Sequence, residues 1–162
     1  MTQIIIKPME TDDEIRGKAF VHWRSWHEAY RGIVDSEYLD KLTLEKCEEI
    51  AFRWRDSILV ATDSGNVVGF AGYGKCNDAD LPDAGELFAL YVLPEYYGTG
   101  LGRRLTDVAL SNLNQAKIAL WVLKENPRAI RFYEKYGFRA DGSEKTVKLG
   151  SPVSVIRMIL SK

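Results

Sequence analysis

Apolar and polar positions alternate in two rhythms along this chain, and the points where the rhythm changes divide it into strands and helices. Ile4 to Lys7 reads as a first strand. Thr11 and Glu14 have the spacing of a capping box, which predicts a helix running to about Tyr30 with Phe20, Trp23, His27 and Tyr30 on one face. Short helices are expected from Asp35 to Leu42 and from Thr43 to about Trp54. Ile58 to Ala61 and Val67 to Tyr73 read as a hairpin turned by Asp63, Ser64, Gly65 and Asn66, and a polar loop from Cys76 to Gly85 follows.

Leu87 to Leu93 breaks the alternation, because every position is apolar, and this predicts a central strand covered on both faces. After a glycine turn, Leu101, Leu105, Val108, Ala109 and Leu113 repeat at helical spacing, and a second apolar strand runs from Ile118 to Leu123. Strand, helix, strand implies a parallel crossover. Asn126 and Pro127 suit the N-cap and first position of a helix that carries Ala129, Phe132, Tyr133 and Tyr136 and stops at Gly137. Strands near Phe138 to Ser143 and Val153 to Leu160 end the chain. The fold class is α/β: a mixed central sheet of about six to seven strands, flanked by helices, in one domain spanning residues 1–162.

Composition narrows the function. With 22 Lys plus Arg against 23 Asp plus Glu, the net charge of -1 provides no global field for nucleic acid or an anionic membrane, so anion recognition has to be local. Cys47 and Cys76 form no CxxC pair, and His22 and His27, five residues apart, do not share a helix face as metal ligands do. No metal is assigned. No segment reads as a leader or a membrane span, and a cytoplasmic protein, monomer or homodimer, is expected.

The local anion site is the turn Gly98, Thr99, Gly100, Leu101, Gly102. Exposed amides at a helix N-terminus bind phosphate, and glycines let the backbone approach it. Arg103 and Arg104 in the first helical turn oppose the helix dipole unless an anion lies between them and the amides. The turn lacks the GK[ST] ending of a P-loop, and its third glycine comes one residue early for a dinucleotide fingerprint.

Read together, ELFALYVLPEYYGTGLGRRL and NPRAIRFYEKYGF, roughly Glu86 to Phe138, resemble the GNAT superfamily of N-acetyltransferases. The family's [Q/R]xxGx[G/A] motif falls on Tyr97 to Gly102, with Tyr97 in place of Gln or Arg. The resemblance implies acetyl-CoA as cosubstrate. It places Leu90, Tyr91, Val92, Tyr97, Gly98, Thr99, Gly100, Leu101, Gly102, Arg103, Asn126, Ala129 and Phe132 at the cofactor, with a main-chain N–H near Tyr91 or Val92 meeting the oxyanion. It makes Tyr133 the general acid, although helical periodicity alone makes Phe132, Tyr133 and Tyr136 core aromatics.

Glu86 is the candidate base, at the start of a strand that spans about 20 Å at ~3.3 Å per residue before the glycine turn, a separation that suits a long-armed cofactor. Trp26, Tyr30 and Arg31 are candidates for the acceptor pocket. The acceptor is a small-molecule amine, a protein N-terminus or a lysine, and Asp78, Asp80, Asp83 and Glu86 favour a cationic one. The alternative readings are a non-catalytic acyl-CoA-binding or sensor domain and, more distantly, a dinucleotide-binding oxidoreductase domain.

Overall fold

A computed structural model describes residues 3–162. In chain order the elements are β1 (Ile4–Pro8), α1 (Asp12–Ala29), α2 (Ser36–Lys41), α3 (Leu44–Arg53), β2 (Ile58–Asp63), β3 (Asn66–Lys75) and β4 (Gly85–Val92). They continue with α4 (Leu101–Ser111), β5 (Lys117–Leu123), α5 (Pro127–Tyr136), β6 (Arg139–Leu149) and β7 (Ser151–Ser161). The strands form one seven-stranded sheet in the order β1-β2-β3-β4-β5-β7-β6, parallel at β4–β5 and antiparallel at every other pair.

Local chemistry accounts for the helix limits. Thr11 Oγ1 accepts from the Glu14 amide at 3.1 Å while the Glu14 carboxylate accepts from the Thr11 amide at 3.0 Å, closing the capping box. Asn126 Oδ1 caps α5 through the Ala129 amide, and Gly137 ends that helix at a φ of 127°. Neighbouring residues of β3 show how the sheet is sandwiched. Phe70 packs on His22 of α1, whereas a Cβ at Gly69 would meet Leu105 of α4 at 3.1 Å on the opposite face.

On α1, Trp23 packs on Phe20, on His27 and against the edge of the core. The residues of α1 buried most deeply include Ile15, Lys18, Ala19 and Ser25. One expectation needs correction here: β4 is not covered on both sides. Phe88 is 50% exposed, and Leu90 and Val92 are only half-buried, because β4 and β5 pair solely at Gly85↔Ile118 and Glu86↔Ala119 and then separate. An unbroken apolar run also suits a strand that borders a cleft. No helix among the described residues is long and apolar enough to cross a membrane.

Polar groups on the inner face of α1 give the fold a pH dependence. Lys18 Nζ lies 4.8 Å over the Phe70 ring, and neither His22 Nδ1 nor Ser25 Oγ has a partner within the described residues. Burial, aided by the Lys18 ammonium, pushes the His22 imidazole from 6.5 down to about 4. A pKa lowered by folding contributes stability that is complete above 6.5 and is lost as pH falls through 4; a shift of this size is worth up to about 3 kcal/mol. The urea midpoint of the wild type is expected to fall more steeply between pH 7 and pH 4.5 than that of His22→Gln. Parallel pH profiles for the two proteins would refute this role.

Candidate active site

The separation of β4 from β5 opens a cavity of about 950 Å³, within the range of small-molecule sites. At one end lies the glycine turn, preceded by a turn of 3-10 helix, Pro94–Tyr96. Gly98 and Gly100 adopt φ of 77° and 86°, in the left-handed region that other residues enter only with strain. Gly102 answers a different need: a Cβ there would come within 3.3 Å of the Phe132 ring, so its absence lets α4 and α5 approach at the cavity wall. The amides of Gly98, Gly100, Gly102 and Arg103 have no acceptor among the described residues.

Charge around the turn is arranged for an anion. The first turns of α1, α2 and α3 carry acids, as the helix dipole favours, whereas those of α4 and α5 carry none. In their place stand Arg103 and Arg104 on α4 and Arg128 on α5. Arg103 and Arg128 line the cavity, and neither has a carboxylate partner among the described residues. Free amides, a helix N-terminus and unpaired guanidinium groups form a donor set that fits a pyrophosphate.

Not every residue of the turn points into the cavity. Leu101 is buried in the core, and the Thr99 hydroxyl turns back to donate to the Tyr96 carbonyl at 2.6 Å. The Thr99 amide is likewise directed at the Tyr96 carbonyl.

Backbone polarity along β4 follows from one hydrogen bond. The Leu93 amide donates to the Val68 carbonyl at 2.9 Å. Amides along an antiparallel pair alternate in direction, so those of Leu93 and Tyr91 face β3 while those of Val92 and Leu90 face the side from which β5 has withdrawn. Of the two amides considered for an oxyanion, Tyr91's is turned away and Val92's faces the gap. The Tyr91 side chain lies on the α1 face, where its hydroxyl meets that of Tyr30 at 2.8 Å.

Tyr133 reaches the cavity from α5, its ring held edge-on by Phe132 and Phe138 at centroid distances of 5.4 and 5.8 Å. Burial, with a smaller contribution from Tyr91, raises the phenol above its ordinary pKa, so it stays protonated well into the alkaline range. Asn126, Ala129 and Phe132 line the same wall, and Trp26 and Tyr30 line the far end with Phe88, Trp121, Val147 and Leu149.

Arg31 does not join them. Its guanidinium is held outside by His27 Nδ1 at 3.0 Å and Asp40 Oδ1 at 3.2 Å.

Glu86 stands just beyond the cavity wall formed by Leu87 and Phe88. Burial raises its carboxyl pKa, opposed by a hydrogen bond from the Cys76 thiol. Ligand atoms of Cys76, Asp78 and Glu86 lie within 4.8 Å of one another, but burial raises the Cys76 thiol and Asp78 already accepts from Trp121 and Arg157.

The acidic loop is not a free patch. Arg157, 5% exposed, directs all five N–H bonds at partners: Asp80 twice (2.8 and 2.6 Å), Asp78 (3.1 Å), Asp141 (2.7 Å) and Ser143 (3.0 Å). Asp78 and Asp80 therefore anchor the loop to β7, which removes the main ground for expecting a cationic acceptor. Nothing in the spacing of these residues marks the network, since 77 and 79 positions separate Arg157 from its partners on the loop.

A sheet split between two parallel strands, with a glycine turn and helix N-terminus at one end of the split, defines an α/β protein with an anion-binding cleft. The chain belongs to the acetyltransferase (GNAT) family, whose model matches residues 20–138. It is 31% identical over 168 residues to an uncharacterized N-acetyltransferase, YuaI, of Bacillus subtilis, with 93% of this chain and 95% of that one covered. It is 32% identical over 145 residues to a probable N-acetyltransferase, Rv2775, of Mycobacterium tuberculosis, covering 85% and 81%. The crystal structure of a PaiA N-acetyltransferase from Thermoplasma acidophilum in complex with coenzyme A has the same fold, with a TM-score of 0.72 at 22% identity across 99% of both chains.

Proposed function

We propose that this chain transfers an acetyl group from acetyl-CoA to a primary amine by direct attack in a ternary complex, in the cytoplasm. One observation carries the reading: a single cavity joins the glycine turn to Tyr133 along the gap between β4 and β5. Acetyl-CoA supplies a phosphate-bearing arm and an activated thioester. The amides of Gly98, Gly100, Gly102 and Arg103 hold the pyrophosphate, those of Leu90 and Val92 face the arm, and Tyr133 hydrogen-bonds the departing sulfur. With its pKa raised, the phenol stabilises the thiolate rather than surrendering its proton outright.

The attacking amine needs to lose a proton, because only the free base is nucleophilic. Glu86 accepts it through water. Glu28 also lines the cavity, but its carboxylate accepts from Arg24 at 2.9 Å. The aromatic and aliphatic acceptor end, from Trp26 and Tyr30 to Trp121 and Leu149, supports an amine bearing an apolar or aromatic group over a polycation.

Free-thiol release from acetyl-CoA across an amine panel tests the reading. We expect phenethylamine-like amines to exceed spermidine by about 10-fold in kcat/KM, the discrimination that an apolar pocket delivers. Coenzyme A binding without thiol release from any amine would favour the non-catalytic acyl-CoA-binding alternative. Thermal stabilisation by NAD but not by coenzyme A would favour the dinucleotide one.

A further inference from the structure

Tyr97 stands where the family motif has Gln or Arg, and a phenol brings no charge to a phosphate. The structure shows what occupies the place. The Arg128 guanidinium carbon lies 3.4 Å from the centre of the Tyr97 ring, flat-stacking distance, and both residues line the cavity beside Gly98 and Gly100. Arg128 is the second residue of α5, an exposed cation in a first helical turn that contains no acid. It makes no ion pair among the described residues. A guanidinium in that position opposes the helix dipole unless an anion sits in front of it.

We propose that Arg128 binds the pyrophosphate of coenzyme A in place of the side chain missing from the glycine motif, and that Tyr97 is the platform that carries its guanidinium to the turn. The assignment rests on the acetyl-CoA reading above. The positive charge has moved from the loop before α4 to the first turn of α5, and the aromatic ring at position 97 serves that move: it stacks a planar guanidinium on its face and leaves the N–H edges free for phosphate oxygens. A surface cation–π pair with no ligand would hold the same geometry at small gain, so the two readings differ in what Arg128 does to binding.

Calorimetric titration with coenzyme A separates them. Arg128→Gln is expected to raise Kd about 10- to 100-fold, the usual range for losing a charge-assisted contact, with the thermal midpoint of the free protein unchanged because the side chain is exposed. Tyr97→Leu is expected to weaken binding by a smaller factor. Tyr97→Arg introduced into the Arg128→Gln protein is expected to restore most of the affinity by returning the charge to the loop. The Arg128→Gln penalty is expected to persist with dephospho-coenzyme A, which lacks the 3′-phosphate.

A Kd for Arg128→Gln within about 3-fold of wild type, below the ~1 kcal/mol that a retained contact implies, would overturn the proposal. So would a penalty that vanishes with dephospho-coenzyme A, since Arg128 would then serve the 3′-phosphate. Wild-type protein that fails to bind coenzyme A at all would instead overturn the parent reading.

Discussion

Tyr133→Phe is expected to lower kcat by about 100-fold, the lower range for a positioned proton donor, while coenzyme A affinity stays within about 2-fold. The substitution keeps the ring wedged between Phe132 and Phe138 and removes only the hydroxyl. A purely structural Tyr133 predicts the opposite pattern, with turnover retained and any loss appearing as a lower thermal midpoint. Because burial holds the phenol protonated well above the ordinary range, the wild-type rate is also expected to show no falling limb at moderately alkaline pH. Steady-state thiol release, paired with calorimetry on both proteins, distinguishes the cases. Full turnover in the variant would eliminate Tyr133 as the acid.

The largest stability effect is expected at Arg157. Arg157→Met leaves Asp78, Asp80 and Asp141 facing one another without their shared cation, the Asp78 and Asp141 side chains being 20% and 24% exposed. Removing the buried cation from such a network costs up to about 3 kcal/mol even when the replacement fills the space, because the carboxylates left behind are partly desolvated and repel one another. That corresponds to a fall of roughly 6–12 °C in Tm for a domain of this size. Asp80→Asn is expected to cost far less, since that side chain is 64% exposed. Urea unfolding of the two variants side by side tests the ranking; equal midpoints for Arg157→Met and wild type would show that the network contributes nothing to stability.

Arg157 also marks where sequence reasoning reached its limit. The loop carboxylates looked like a field for a cationic acceptor because charge counted along a chain says nothing about distant counter-ions. Once β7 delivers Arg157 beneath the loop, Asp78 and Asp80 become anchors, and the cavity walls around Trp26, Phe88 and Trp121 are apolar. Arg31 was misplaced for a related reason: it lies one residue past Tyr30, but the end of α1 turns it to His27 and Asp40. The last strands show the same limit in the fold. β6 runs from Arg139 to Leu149, past the expected end near Ser143, because Glu144, Lys145 and Lys148 on an edge strand need no apolar alternation to pair with β7.

The sequence by itself determined the features that depend on near neighbours. The capping box at Thr11 and Glu14, the Asn126–Pro127 start and Gly137 stop of α5, the hairpin turn and the glycine turn are set by hydrogen bonds and backbone preferences within a few residues. The tertiary structure alone decided what the split sheet exposes: which β4 amides face the gap, that Phe88 borders a cleft and not a core, that Arg157 neutralises the loop, and that Arg128 stacks on Tyr97. These contacts join residues 31 to 79 positions apart in the chain. Their geometry comes from how strands and helices pack, and no local pattern records it.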